Sequence, residues 1–456
     1  MSEENAGSFA ATRAIVERTR AISWDAIPDE AREVARHCIL DFLGVAIAGS
    51  REPLADILVR EVASAEGSRE CALIGRAERA SRLSAALING AAAHALDFDD
   101  THTSMGGHPS VPVAPAILAL AETTGASGRE LAEALIAGIE FECRLGALIG
   151  NKHYAIGFHS TGTIGTFGAA AACARLLNLD EDAWLRAIGL AGTQAAGLKS
   201  GFGTMAKPLH AGRAASNGLL SAILARGGYT SNSAIIETAQ GFGATHAGEP
   251  ITREDVAALD GRFLIRETLF KYHASCYLTH APIQAAASIR AANDLDPAAI
   301  DAVEVRVHPS LLGVCNIENP TTGLEGKFSL RATTAMALLG IDTSSSQSFT
   351  DAKISSPEVV SVRERVRIVP TGRAPSTRAE VEVKTGARRL RAEADSGVPW
   401  PDLAAQRIAL TKKFLGLAVP IAGITGAKAI ADAALNVDAL SRSSELVELA
   451  NRHCAG

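Results

Sequence analysis

The chain has 456 residues, of which 47% are hydrophobic, 21% charged and only 4% aromatic, a folded composition too long for one core, so two domains are expected. With 44 basic against 50 acidic residues and a formal net charge of -6, it has no run of lysine or arginine to follow a phosphate backbone, which excludes nucleic acid as a partner. The start, MSEENAGSF, is acidic and polar, and no stretch of eighteen uninterrupted apolar residues occurs, so neither a leader nor a membrane span is expected and the location read is cytoplasmic.

In chain order, helical periodicity runs over Ser8 to Arg20, Asp29 to Gly49, Pro53 to Glu66, Leu83 to Leu96, Val111 to Thr123 and Gly128 to Ile149, with three more helices ending at Arg226. Start signals stand at Pro28-Asp-Glu and at Ser127-Gly-Arg-Glu130, which has the form of a capping box. Arg226-Gly-Gly228 is a stop signal, because glycine takes the left-handed conformation that closes a helix. The stretch Leu83 to Leu96, LSAALINGAAAHAL, is rich in small residues that let backbones approach closely.

Beyond about residue 265 the period becomes two. Ala302 to His308, Glu364 to Val369 and Ala379 to Val383 alternate as half-exposed strands, and Arg388 to Ala394 adds a fourth. Ile283 to Ala292 and Ser329 to Gly340 are read as their helices, and helical periodicity returns from Pro401. The expected fold is mainly α: a large all-helical domain of residues 1–267 and 400–456, and a smaller α+β domain of residues 268–399 with an antiparallel sheet. Seven cysteines stand singly, without zinc-ligand spacing, and read as small buried hydrophobes, with Cys276 and Cys315 in segments of interest.

Four polar clusters interrupt these apolar elements. Asp97-Phe-Asp-Asp-Thr101 followed by His108-Pro-Ser110 sets carboxylates, a hydroxyl and a histidine at the end of an apolar helix. A capped helix end and the wall of a cleft both account for it; Asp97, Asp99, Asp100 and His108 are competent metal ligands, but nothing in their spacing fixes a geometry, and no metal is assigned. Gly157-Phe-His159-Ser-Thr-Gly162 opens a helix with free N-H groups suited to an anion, or simply caps it. Lys207, His210 and Arg213 stand at i, i+3 and i+6 after a glycine-rich stretch and suit a carboxylate, or form an ordinary solvated loop. Lys271-Tyr-His273-Ala-Ser-Cys276-Tyr-Leu-Thr-His280 falls at the expected domain junction.

Taken together and in this order, HALDFDDT, GGHPS, GFHSTGTIGTFGAAAA, GTMAKPLHAGRAASNG, Lys271 to His280 and GLEGKFSL at Gly323 to Leu330 resemble the MmgE/PrpD family, which includes 2-methylcitrate dehydratase, cis-aconitate decarboxylase and iminodisuccinate epimerase. The resemblance implies a helical domain with a smaller α+β lid, an active site in the cleft between them, homodimers, and catalysis without a cofactor. It places the active-site positions on Asp97, Thr101, His108, His159, Lys207 and His280; the residues of the basic helix start and the junction segment add His210, Arg213 and Lys271 to Lys207 and His280 as substrate-binding candidates. For proton chemistry beside a carboxylate, the roles expected of these residues are His159 or His108 as base or acid, Asp97 orienting a histidine, Thr101 donating a hydrogen bond, and Lys207 with His280 binding carboxylates.

Departures bear on the reaction. The family's decarboxylases carry a tyrosine ahead of the proline in the segment matching Val314 to Pro320, and this chain has none after Tyr277, leaving Cys315 or Asn316 as stand-ins. The Thr101 to His108 spacing is one residue longer than in the decarboxylases, and the dehydratases' tryptophan is His102 here. That spacing and His153-Tyr154 look more like the epimerase. The resemblance therefore implies a cofactor-independent lyase, dehydratase-like, that removes a proton next to a carboxylate of a di- or tricarboxylate. An epimerase or isomerase is the alternative, with a decarboxylase or a non-catalytic anion-binding module behind it.

Overall fold

The computed structural model describes residues 10–248, 251, 261–372 and 375–454, so the expected helix start at Ser8 lies outside the described residues. The chain divides into two compact units, residues 1–270 with 401–456, and residues 271–400. The fold is mainly α with a smaller α+β part, as the periodicity predicts.

The larger unit is built from Ala11–Arg20, Asp29–Gly49, Pro53–Leu58, Arg82–His94, Ser110–Thr124, Gly128–Ile149, Ser160–Leu176, Glu181–Gly192 and Ala206–Arg226. A short helix, Asn151–Ile156, was not foreseen; it is set off by Gly150 and Gly157, both at positive φ. A two-stranded ladder pairs Cys71–Ala72 with Arg79–Ala80, so the unit is not purely helical. The capping box forms as read: Ser127 Oγ accepts from Glu130 N, and the Glu130 carboxylate accepts from Ser127 N at 2.8 Å. Gly228 takes φ +88 just past Arg226.

Small residues decide how closely the helices approach. A Cβ on Gly212 would stand 2.1 Å from the Leu87 carbonyl oxygen, and one on Gly90 would stand 2.9 Å from Gly212 Cα. Helices 82–94 and 206–226 therefore meet backbone to backbone, which only glycine permits.

Leu403–Leu435 also belongs to the larger unit, kinked at Gly423, which has φ 67 and ψ 165. Among the described residues it alone is long and apolar enough to cross a membrane by length and composition. Its Leu410, Phe414, Ala427, Ile430 and Ala434 are buried, and so is Lys413, which donates to Asp41 Oδ1 at 2.5 Å and to the Phe98 carbonyl at 2.6 Å. It is a core helix tied to the chain just beyond Asp97.

The smaller unit has a four-stranded sheet in the order 366–370, 302–307, 378–385, 388–395. Val303, Val305 and Val307 are buried with Val381 and Val383 against Ile283, Ile289, Leu330 and Leu338 of helices His280–Ala292 and Leu330–Leu339. The expectation of an antiparallel sheet needs one correction. Two of the three pairings are antiparallel, but 302–307 and 366–370 run parallel, Val305 opposite Ile368. Several helices lie between those strands, a crossover long enough to return the chain in the same direction.

Candidate active site

Helix 82–94 is started by Ser81, whose Oγ accepts from Ser84 N at 3.3 Å. It ends at His94 rather than at the expected Leu96, because Asp97 takes φ +50, a left-handed conformation that aspartate tolerates better than most residues. The bend presents three acids, Asp97, Asp99 and Asp100, to different partners.

Asp97 Oδ1 accepts from Lys207 Nζ at 2.7 Å and lies 3.7 Å from His108 Nε2. Asp99 is buried; its Oδ1 and Oδ2 lie 3.0 and 2.9 Å from His94 Nδ1, and Oδ2 is 2.9 Å from His108 Nδ1. Asp100 turns the other way and accepts from Ser110 N at 3.2 Å and from Ser110 Oγ, which fixes the start of helix 110–124. Burial, with Asp41 nearby, pushes Asp100 up to about 7.

These contacts redistribute the expected roles. The carboxylate beside the histidines is chiefly Asp99, not Asp97, because the left-handed turn aims Asp97 at the lysine. The Thr101 hydroxyl donates to the Gly107 carbonyl at 3.0 Å, so its proton is engaged in closing the 102–107 turn. His102, where the dehydratases have tryptophan, is fully satisfied: Nδ1 accepts from Ser104 N and Nε2 donates to the Leu264 carbonyl at 2.8 Å. Burial lowers its pKa to about 4, so it is a neutral structural pin.

His108 is seated by its backbone N-H, which donates to Thr161 Oγ1 at 3.1 Å in the first turn of helix 160–176. His159 precedes that helix, held by N-H donation to the Gly197 carbonyl at 3.0 Å. Its Nδ1 is 3.1 Å from His210 Nδ1, and its ring stacks on His94 at 5.8 Å and meets the Phe202 ring edge-on at 4.9 Å. The structure thus gathers Asp97, His108, His159, Lys207 and His210 with Asp99, weighed in the sequence only as a metal ligand, and His94, assigned no role there. The available signal was His94 inside HALDFDDT, on the last turn of the helix that delivers Asp97.

Arg213 does not join them. It is exposed, since a step of six residues carries it about 120° away from Lys207 around the helix. His153 is held by the fold: Nδ1 donates to the His246 carbonyl at 2.9 Å and Nε2 pairs with Thr163 Oγ1 at 2.7 Å.

Lys271 and His280 are buried in the smaller unit, where the His280 ring lies against those of His273 and Tyr277 at 5.0 and 5.1 Å. Of the two stand-ins for the missing tyrosine, Cys315 is buried in that unit's core with Sγ toward the Leu311 carbonyl, and Asn316 is half-buried with its Oδ1 accepting from Arg331 at 3.0 Å.

Three imidazoles of the cluster, His94, His159 and His210, are shifted toward the neutral form. Burial lowers His94 to about 4, against the opposing pull of Asp99. Burial, then His94 and Lys207, hold His159 well below the usual range, and burial with Lys207 lowers His210. Burial alone would raise Asp99, but His108 and His94 outweigh it and keep the carboxylate ionised. Donor atoms of His94, Asp97, Asp99 and His108 lie within 4.8 Å of one another, a spacing that a cation fits, and the Lys207 ammonium already supplies a positive charge at Asp97. Uncharged imidazoles beside a fixed cation can take a proton from carbon and offset the negative charge that remains.

The model of the MmgE/PrpD N-terminal domain matches residues 13–254, and that of the MmgE/PrpD C-terminal domain matches residues 273–439. The chain belongs to the MmgE/PrpD family. Its MmgE/PrpD relatives include a cis-aconitate decarboxylase of Aspergillus terreus, 29% identical over 466 residues that cover 94% of both chains. The cis-aconitate decarboxylase of Mus musculus is 32% identical over 56% of this chain and 54% of its own length, and that of Homo sapiens 34% identical over 45% and 44%. At the level of the MmgE/PrpD family, the activity is that of a lyase-type enzyme.

Proposed function

We propose that the chain is a cofactor-independent lyase for a di- or tricarboxylate, working by proton transfer at a carbon next to a carboxylate, with loss or addition of water as its first reading. The observation that carries this is the convergence of His108, His159 and His94, two of them held neutral by burial, on the Asp97–Lys207 pair. In this reading Lys207 holds a substrate carboxylate and offsets enolate charge, and His108 or His159 moves the proton. A positioned histidine supplies roughly 10²- to 10⁴-fold.

Decarboxylation of cis-aconitate is the second reading, favoured by what the relatives are named for and opposed by the lack of any tyrosine after Tyr277. Epimerisation of an amino- or hydroxy-dicarboxylate shares the same proton step. Self-association as a homodimer and a cytoplasmic location belong to this proposal, and size-exclusion chromatography with light scattering tests the former.

The deciding experiment incubates the protein in D₂O with citrate, 2-methylcitrate, cis-aconitate and amino-dicarboxylates and follows each by NMR. Water loss or gain with deuterium entering the adjacent carbon is the expected result. Release of CO₂ from cis-aconitate would select the second reading. Binding without exchange for every acid would leave only an anion-binding module.

A further inference from the structure

Asp99 is 1% exposed and takes no part in the proton transfer proposed above. Yet one carboxylate there meets two imidazoles through the same ring atom of each: His94 Nδ1 at 2.9 and 3.0 Å, and His108 Nδ1 at 2.9 Å. The His94 contact has full hydrogen-bond geometry. The His108 contact is close but makes no hydrogen bond as it stands: Nδ1 is buried 2.9 Å from Oδ2 without a hydrogen-bond partner among the described residues.

An ionised carboxylate only accepts, so a neutral ring held this way carries its proton on Nδ1 and leaves Nε2 as the lone-pair nitrogen. The two Nε2 atoms then differ in surroundings. That of His108 stands 3.7 Å from Asp97 Oδ1, the oxygen bonded by Lys207. That of His94 is buried with no hydrogen-bond partner among the described residues, and its ring packs at 4.6 Å from His108 and 5.8 Å from His159.

We propose that Asp99 is the positioning residue of this site, fixing the Nδ1-H tautomer of both His94 and His108 so that His108 Nε2 is the proton acceptor and His94 Nε2 a second, interior one. The proposal rests on the proton-transfer reading for its chemistry, but the tautomers stand independently of it. Asp97 cannot substitute, because the left-handed turn commits it to Lys207. Asparagine at 99 puts its NH2 either at the Oδ1 position, 3.0 Å from His94 Nδ1, or at the Oδ2 position, 2.9 Å from both rings, so in either orientation an N-H faces His94 Nδ1 and favours the Nε2-H form of that ring.

The test uses the full chain labelled with ¹⁵N-histidine. Long-range ¹H–¹⁵N spectra near pH 7.5, assigned through His94→Gln and His108→Gln, should show both rings as Nδ1-H tautomers in the wild type, with at least one switched in Asp99→Asn. In the deuterium-exchange assay, Asp99→Asn should lower kcat about 10²-fold or more with KM within about threefold, and Asp99→Glu should recover part of the loss. A wild-type Nε2-H signal on His108, an unchanged tautomer pattern in Asp99→Asn, or a switched tautomer with unaltered kcat each overturns the proposal. The expected tautomers in a chain that exchanges no carboxylic acid would instead overturn the lyase reading and leave the tautomer assignment standing.

Discussion

Lys207 Nζ donates to Asp97 Oδ1 at 2.7 Å, joining the second residue of helix 206–226 to the turn that follows helix 82–94. Both side chains are mostly shielded, at 16% and 26% exposure, so the pair acts as a unit rather than as a screened surface bridge. Replacing Lys207 with methionine should raise KM and lower kcat together, by about 10²-fold in kcat/KM. Asp97→Asn, which keeps the tolerance for positive φ, should cost a similar amount. The double variant should cost less than the product of the two, and strict multiplicativity would show the pair to be uncoupled.

That pair depends on bare backbone elsewhere. Gly212→Ala drives a methyl group to 2.1 Å from the Leu87 carbonyl oxygen, so helix 206–226 must withdraw from helix 82–94. We expect about 1–3 kcal/mol of destabilisation and a loss of kcat larger than the change in folded fraction explains, because Lys207 moves with its helix. Thermal melts beside activity at a temperature where the variant is fully folded check this; full specific activity would refute it.

Acid should unfold the larger unit through its neutral histidines. His102 has a folded pKa of about 4 against 6.5 for the free group, so above 6.5 neither state binds the proton and the term vanishes. Below 6.5 only the unfolded state binds it, and stability falls until about pH 4, by about 3 kcal/mol for a shift of this size. His102→Gln, which can still donate to the Leu264 carbonyl, should show a shallower fall in Tm between pH 6.5 and 4; an identical slope would contradict the assignment.

Glu142 has the opposite sign. Both its carboxylate oxygens are buried without a hydrogen-bond partner among the described residues, and burial raises its pKa well above 4.5. The fold keeps this proton after the unfolded chain has lost it, so stability declines as pH rises above about 4.5. Glu142→Gln removes that dependence, and its advantage over the wild type should grow from pH 5 to pH 8 in urea titrations.

Much of this architecture is legible in the residues because its causes are local. The Ser127–Glu130 box and the Val303, Val305, Val307 alternation each write their structure within a few positions. Asp99 was not legible in the same way: its partners stand five residues before and nine after it, and they converge only because Asp97 turns left-handed and Thr161 seats the His108 backbone. Arg213 misled for the converse reason, since sequence proximity to Lys207 does not place it on the same face. The parallel strand 366–370 depends on a long crossover, which periodicity does not report.

The most direct measurement is deuterium uptake from D₂O into the carboxylate substrate by the wild type, Lys207→Met and His108→Gln. Incorporation is expected at the carbon next to a carboxylate in the wild type, with about 10²-fold or greater loss in both variants at retained fold. Turnover without incorporation, or full exchange in His108→Gln, would contradict the proton-transfer reading.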